Sequence, residues 1–297
     1  MKSFPQYYAA YGADLNMHIV TRWCEDHHLS QAEFYPYCKA YLPDYELILN
    51  KHSQIHHGGV LNLQAIRGQI APVFLIEVNE IAVKALKKKA HASHQYTYQE
   101  CVALTSNGQE VKVFTFLAPP EKQARLHIPP SIAYQELVLE GATELGLNLQ
   151  WHRAAFSHQS QDTLMPGFFF YGTLKTDGEN FHFLKTCGLK SAHVAKTEGV
   201  LVDVGAYPGF LSLEDENGIV WGEYLEFENT EKAILAADAV EEFFGFEQPK
   251  SLYRRALLHV EIPNLSQKLA WIYIYLNADP LLPIIEEGYW GLPPFMN

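Results

Sequence analysis

The sequence predicts an α+β protein assembled from two tandem copies of one small domain. Three observations carry that expectation. At 297 residues the chain exceeds what one hydrophobic core ordinarily organises. Two apolar aromatic runs, Tyr7-Tyr8-Ala9-Ala10-Tyr11 and Phe168-Phe169-Phe170-Tyr171, each read as a buried strand and each end on a glycine, Gly12 and Gly172. Behind those two starts, strand-like and helix-like segments recur in the same order.

Taken in order, Tyr7 to Tyr11 forms the first strand, and Asp14 or Asn16 stands where a helix from Met17 to Cys24 needs an N-cap. Gly59-Val60-Leu61 answers to Gly199-Val200-Leu201. The strand-like run Ile70 to Val78 answers to Ile219 to Phe227. Each leads into a helical segment, Asn79 to about Lys89 and Thr230 to about Phe243. Next come the strands from Tyr96 to Leu104 and from Tyr253 to Val260, then Val111 to Phe116 beside Leu269 to Tyr275. The first half carries an extra helix. Ser131 is its N-cap, one face reads Ala133, Leu137, Val138, Gly141, Ala142 and Leu145, and Gly146 takes the C′ position. The polar stretch from Ser157 to Thr163 reads as a linker. The expected organisation is a first copy at 1–156, a linker at 157–165 and a second copy at 166–297.

Composition excludes several function classes. A net charge of −12 lacks the basic face that nucleic acid requires. Cys24, Cys38, Cys101 and Cys187 show no CxxC spacing, which fits a reducing compartment and neither a zinc knuckle nor a redox pair. Met1 to Pro5 begins no signal peptide, and no apolar run reaches membrane-spanning length, so a cytoplasmic protein is expected. His52 with His56, and the pairs His56-His57 and His27-His28, have no Cys or carboxylate pattern to complete a metal site. Lys87-Lys88-Lys89 reads as a solvated helix face.

Four motifs then follow one another in the second half. Tyr171-Gly172-Thr173-Leu174 is a strand meeting a turn whose amides can point one way, a cradle for an anion as well as an ordinary turn. Asn180 and His182 follow it. Gly199-Val200-Leu201 with Gly205-Ala206-Tyr207-Pro208-Gly209 comes second, Trp221-Gly222-Glu223-Tyr224 third, and Asp238-Ala239-Val240-Glu241 with Tyr253-Arg254-Arg255 fourth. Over residues 165–276 this series resembles the γ-glutamylcyclotransferase-like family. The resemblance implies two tandem domains of that kind, each a small mixed β-barrel with peripheral helices and a pocket near the YG loop. The first half resembles the same family, with Ala13-Asp14 in place of the loop's usual Ser-Asn and Leu86-Lys87-Lys88-Lys89-Ala90 where a DxxE segment belongs. The first copy is therefore expected to be catalytically degenerate.

The family's reaction closes a γ-glutamyl group to 5-oxoproline and releases an amine or amino acid. It needs a base for the α-ammonium and donors that hold the substrate folded. By resemblance Glu241 is that base, and Glu242 is its rival. The resemblance also gives the backbone amides of Tyr171, Gly172, Thr173 and Leu174 the task of gripping the γ-glutamyl head. Tyr253 either lines the pocket or is a core aromatic. Arg255, on the same strand face as Tyr253, is expected to pair with a carboxylate such as Asp238. Tyr207 and Phe210 either close the rim or belong to a plain turn. No metal or cofactor is expected, because the nucleophile is tethered to its target. The implied partner is a small γ-glutamyl compound, with no nucleic acid and no membrane. The oligomeric state stays open, an intramolecular pseudo-dimer of the two copies being one possibility. Two other readings stand beside this one: a binding or regulatory protein that keeps the pocket without turnover, and hydrolysis or transfer at a γ-glutamyl amide.

Overall fold

A computed structural model of the chain describes residues 6–29, 31–91, 96–212, 218–277 and 279–291. It divides into two compact units, Met1–Thr105 with Glu110–Leu164, and Met165–Asn297 with the short turn Ser106–Gln109. No helix among the described residues is long and apolar enough to cross a membrane.

The first unit is a closed five-stranded barrel. Its elements are β1 (Gln6–Ala10), α1 (Met17–Asp26), β2 (Phe34–Ser53), β3 (Gly58–Val78), α2 (Glu80–His91), β4 (Thr97–Leu104), β5 (Glu110–Leu117), α3 (Ile132–Glu144) and α4 (Gln150–Phe156). The strand order is β1-β3-β2-β4-β5, with β1 antiparallel to β3 and parallel to β5. The long β2–β3 hairpin slips register at Pro36/Cys38 and Pro43/Tyr45. Proline offers no N–H to a ladder, so bulges are where such a strand accommodates it. Ser131 caps α3 by accepting from the Tyr134 N–H at 3.3 Å. Gly146 ends the helix at φ 66°; Leu147 N–H then reaches Ala142 O at 2.9 Å, and Gly146 N–H reaches Thr143 O at 3.0 Å. Asn16 does precede α1, but its side chain makes no cap bond and donates instead to Glu140.

The second unit repeats the frame. It comprises β6 (Gly167–Phe170), β7 (Leu189–Glu198), β8 (Val200–Asp203), β9 (Pro208–Leu211), β10 (Ile219–Phe227), α5 (Thr230–Val240), β11 (Tyr253–Val260) and β12 (Lys268–Tyr275). The sheet order is β11-β12-β6-β10-β7. Again the opening strand is antiparallel to one neighbour, β10, and parallel to the last strand, β12. Lys196 and Glu261 exchange two backbone hydrogen bonds of 3.0 and 2.8 Å, bridging the outer strands so that the cyclic order matches that of the first unit. Alternate residues of β6 divide between two faces. Phe169 joins the core with Val220, Tyr224, Ala256 and Ile272, and Tyr171, just past the strand, packs there too. Phe168 and Phe170 stack on the other face at 5.5 Å.

Both units also reuse two local devices. Asn229 caps α5 by accepting from Lys232 N–H at 2.8 Å, and Asn79 caps α2 by accepting from Ala82 N–H at 2.8 Å. The Tyr171 hydroxyl donates to Tyr273 O at 2.6 Å, and the Tyr11 hydroxyl donates to Phe116 O at 2.6 Å.

Candidate active site

Several segments of the second unit surround a cavity of about 150 Å³: the turn after β6, the turn before β9, the end of α5, the start of β11 and Tyr273 of β12. The first turn is a self-folded clasp. Asn180 donates its backbone N–H to Thr173 O at 3.0 Å and its amide to Thr173 Oγ1 at 3.1 Å. Glu223, from β10, receives Thr176 N–H at 2.6 Å and Thr176 Oγ1–H at 2.7 Å. Gly178 sits where an added Cβ would lie 2.1 Å from Thr173 O, and one on Gly172 would lie 2.9 Å from the Pro208 ring. With the loop so fixed, the backbone N–H groups of Gly172, Thr173 and Leu174 donate to no protein acceptor among the described residues, and all three residues line the cavity. Tyr171 lines it as well.

The opposite wall comes from the end of α5. The helix stops at Val240, earlier than its apolar pattern suggested, because Glu242 turns into the left-handed region at φ 50°. Phe243 N–H then bonds Asp238 O at 2.9 Å, the wrap that closed α3 around Gly146. This turn separates the two adjacent glutamates. Glu241 is half-buried and Glu242 is exposed, and both line the cavity. Among the described residues the Glu241 carboxyl makes no hydrogen bond or ion pair, and burial pushes it up to about 8.

What anchors the helix end is a buried polar cluster. Asp238 accepts from Arg255 Nη1 at 3.1 Å and from the Tyr273 hydroxyl at 2.7 Å. Odd-numbered residues of β11 and β12 share the face toward α5. Arg255 is fully buried, and the rings of Phe243, Phe246 and Trp271 lie 4.9 to 5.3 Å from its guanidinium carbon. The pairing of Arg255 with Asp238 anticipated from the shared strand face is present. Removing either partner would strand a charge in apolar surroundings.

Tyr253 is buried, lines the cavity and donates its hydroxyl to Pro208 O at 2.8 Å, holding the turn before β9. It therefore both lines the pocket and packs as core. Tyr207 and Pro208 also line the cavity, whereas Phe210 is fully buried against Tyr171 at 5.5 Å. Burial and, after it, the nearby Glu241 raise the phenols of Tyr171 and Tyr253 well above the usual tyrosine range. The arrangement can thus offer an anion backbone donors on one side and a proton acceptor without a partner on the other. Sequence reasoning assigned no role to Thr176 and Glu223, nor to Tyr273, the second donor to Asp238. Glu223 lay within a quoted motif, but its partner Thr176, two residues past the YGTL turn, had no signal of its own.

Counting from the shared asparagine caps, Lys88 stands where Asp238 does and His91 where Glu241 does. In the first unit Lys89 instead forms an ion pair with Asp14 of the loop, which also accepts from the Tyr8 hydroxyl at 2.8 Å.

Comparison with known proteins points one way. The family model "Gamma-glutamyl cyclotransferase, AIG2-like" matches residues 168–292. Gamma-L-glutamyl-butirosin B gamma-glutamyl cyclotransferase of Niallia circulans is 35% identical over 135 residues, covering 45% of this chain and 81% of that protein. A relative from Vibrio cholerae serotype O1, whose provisional name is that of a gamma-glutamylcyclotransferase, is 33% identical over 123 residues, covering 41% of this chain and 92% of its own length. A solved structure of a gamma-glutamyl cyclotransferase aligns with TM-score 0.44 and 22% identity over 51% of this chain and 86% of its own.

Proposed function

The chain belongs to the γ-glutamylcyclotransferase family, and from that premise we propose that its second unit cyclises a γ-glutamyl group to 5-oxoproline, with Glu241 as general base and then general acid. The observation that carries this reading is the unpartnered Glu241 carboxyl set across a small cavity from the N–H groups of residues 172–174. Those N–H groups hold the α-carboxylate of the γ-glutamyl head. The α-ammonium then faces Glu241 and gives it a proton. The freed amine attacks the γ-carbonyl carbon, and a C–N bond closes the five-membered ring. As the tetrahedral intermediate collapses, the amide C–N bond breaks and Glu241 returns that proton to the departing nitrogen, then takes a second proton from the ring nitrogen and passes it to the released amine. Two of the three ammonium protons end on the leaving amine and the third stays on the lactam. No water is consumed. A carboxyl with a pKa near working pH suits both halves of this transfer. Holding the two reacting ends folded in a tight cavity supplies the remaining advantage.

Mass spectrometry with a panel of γ-glutamyl amino acids and γ-glutamyl amines tests the reading, with Glu241→Gln alongside. The expected result is 5-oxoproline released one-for-one with the amine and a loss of about 10²–10⁴-fold in the variant. Free glutamate in place of 5-oxoproline would replace cyclisation with hydrolysis. A folded Glu241→Gln protein at full rate would remove Glu241 from the chemistry.

A further inference from the structure

The charged side chains around the cavity are all acidic: Glu179, Glu241 and Glu242. Lys250 lies over the Phe244 ring at 4.4 Å, and the two cations next to the lining residues are turned elsewhere. Lys175 directs its ammonium to Trp290 O at 2.8 Å and to Asp177 at 3.6 Å, and Arg255 is buried against Asp238. If Glu241 serves the α-ammonium and the loop N–H groups serve the α-carboxylate, Glu179 and Glu242 have no duty toward the γ-glutamyl head. Both are exposed, as is Ala206 beside the half-buried Tyr207. A cavity of about 150 Å³ falls short of the usual size for a drug-sized ligand. It has room for the head and little more, so the leaving group rests on the rim. There it meets two carboxylates and an aromatic ring. A leaving amino acid would bring a carboxylate of its own to this rim, against two like charges. A leaving amine with a second ammonium would find opposite charges and the Tyr207 ring.

Resting on the cyclotransfer reading above, we infer that the enzyme selects γ-glutamyl derivatives of amines that carry a further positive charge, and that Glu179 and Glu242 are the residues that select them. The position of Glu242 fits. A helix C′ site in the left-handed region is ordinarily glycine, as Gly146 shows at the end of α3. A glutamate there is held in a conformation that glycine would adopt without strain.

Three substrates of matched length test this: γ-glutamyl-1,4-diaminobutane, its uncharged isostere γ-glutamylpentylamine, and γ-glutamyl-glutamate. Full-length protein is assayed for 5-oxoproline and, by calorimetry, for binding. The expected order of kcat/KM and of affinity is cationic, neutral, anionic. The cationic compound should exceed the neutral one by about tenfold, equivalent to about 1.4 kcal/mol, and the advantage should shrink as salt rises from 50 to 500 mM. In Glu179→Gln/Glu242→Gln the ratio should fall to near one, chiefly through KM. Glu242→Gly, which relieves the backbone and so keeps the fold, should lower the ratio by itself. Equal or better use of the neutral or anionic substrate overturns the inference, as does a ratio that survives both variants. Absence of 5-oxoproline from all three compounds would instead overturn the cyclotransfer reading. The binding order would then decide the rim's preference by the same criteria.

Discussion

Replacing Glu241 by Gln should make the protein more stable, by an amount that grows with pH. The wild-type carboxyl is half-buried, without a partner, and raised from 4.5 to about 8. Between those values the folded state keeps a proton that the unfolded chain has lost, so wild-type stability falls by about 1.4 kcal/mol for each pH unit. From pH 5 to pH 8 the full penalty integrates to about 3.5 kcal/mol, and water at the partly exposed residue screens it to about 2–3 kcal/mol. Glutamine keeps the shape and has no charge to desolvate. Other titrations are common to both proteins and cancel in the difference. Urea unfolding at pH 5, 6, 7 and 8 gives the comparison directly. The curves should nearly coincide at pH 5, with the variant pulling ahead up to pH 8 at an unchanged m-value. A constant offset across that range, or a variant that weakens as pH rises, would refute the idea that Glu241 is a desolvated, unpaired carboxyl. A gain in stability coupled to a loss of turnover is what a site built for chemistry should show.

Other consequences can be checked together. Initial rates from pH 5 to 9 should show kcat/KM rising about tenfold per pH unit and levelling near 8, because the proposed mechanism needs Glu241 ionised; a flat profile over that range contradicts the assignment. Asp238→Asn should cost about 3 kcal/mol by leaving the buried Arg255 charge uncompensated, seen as a lower urea midpoint, and a change under 1 kcal/mol would mean that the pair does not hold the helix end. In Gly172→Ala the new Cβ would lie 2.9 Å from the Pro208 ring, so the turn must shift and KM should rise about tenfold; an unchanged KM would show that the N–H groups of this turn do not bind substrate. Asp14→Asn and Lys89→Ala in the first unit should each leave cyclotransfer within twofold of wild type, since the reacting cavity is lined only by residues of the second unit.

Much of this architecture was legible because it is periodic and repeated. The buried runs ending at Tyr11 and Tyr171, the strands after Ile70 and Ile219, and the cap-to-glycine span of α3 all declare themselves through apolar spacing and end signals. β2 did not, because Pro36 and Pro43 argue against a strand until a bulge is allowed for each. α4 went unread as well. Its Trp151, His152, Ala154, Ala155 and Phe156 are all buried, so in two turns only Gln150 and Arg153 are left to mark a polar face. At the site, the residues were readable but their division of labour was not. Glu241 and Glu242 are adjacent in sequence and alike in chemistry. Only the left-handed turn at Glu242 sends one toward the buried wall and the other to the rim. Likewise the hold of Glu223 on Thr176 depends on β10 lying beside β6, which no local pattern announces.

The two units also separate what the fold needs from what the chemistry needs. Both keep a tyrosine hydroxyl bonded to the last strand, an asparagine cap on the helix, and one cyclic strand order. These are packing and capping requirements: losing a tyrosine bond leaves a buried group unsatisfied, and losing a cap frays the start of a helix. At the helix end the units part. Asp238 and Glu241 are answered by Lys88 and His91, while Asp14 in the first unit's loop has acquired Lys89 as a partner. A cation reaching the loop is the reverse of the second unit's arrangement, in which an unpartnered carboxyl waits opposite bare N–H groups. A carboxylate like Glu241 is a standing destabilisation, tolerable only where turnover requires it. Once turnover is not required, substitutions that neutralise or pair the charge are favoured by stability alone. On the proposed reading, in which only the second unit turns substrate over, the Asp14–Lys89 pair of the first unit is the outcome this reasoning expects.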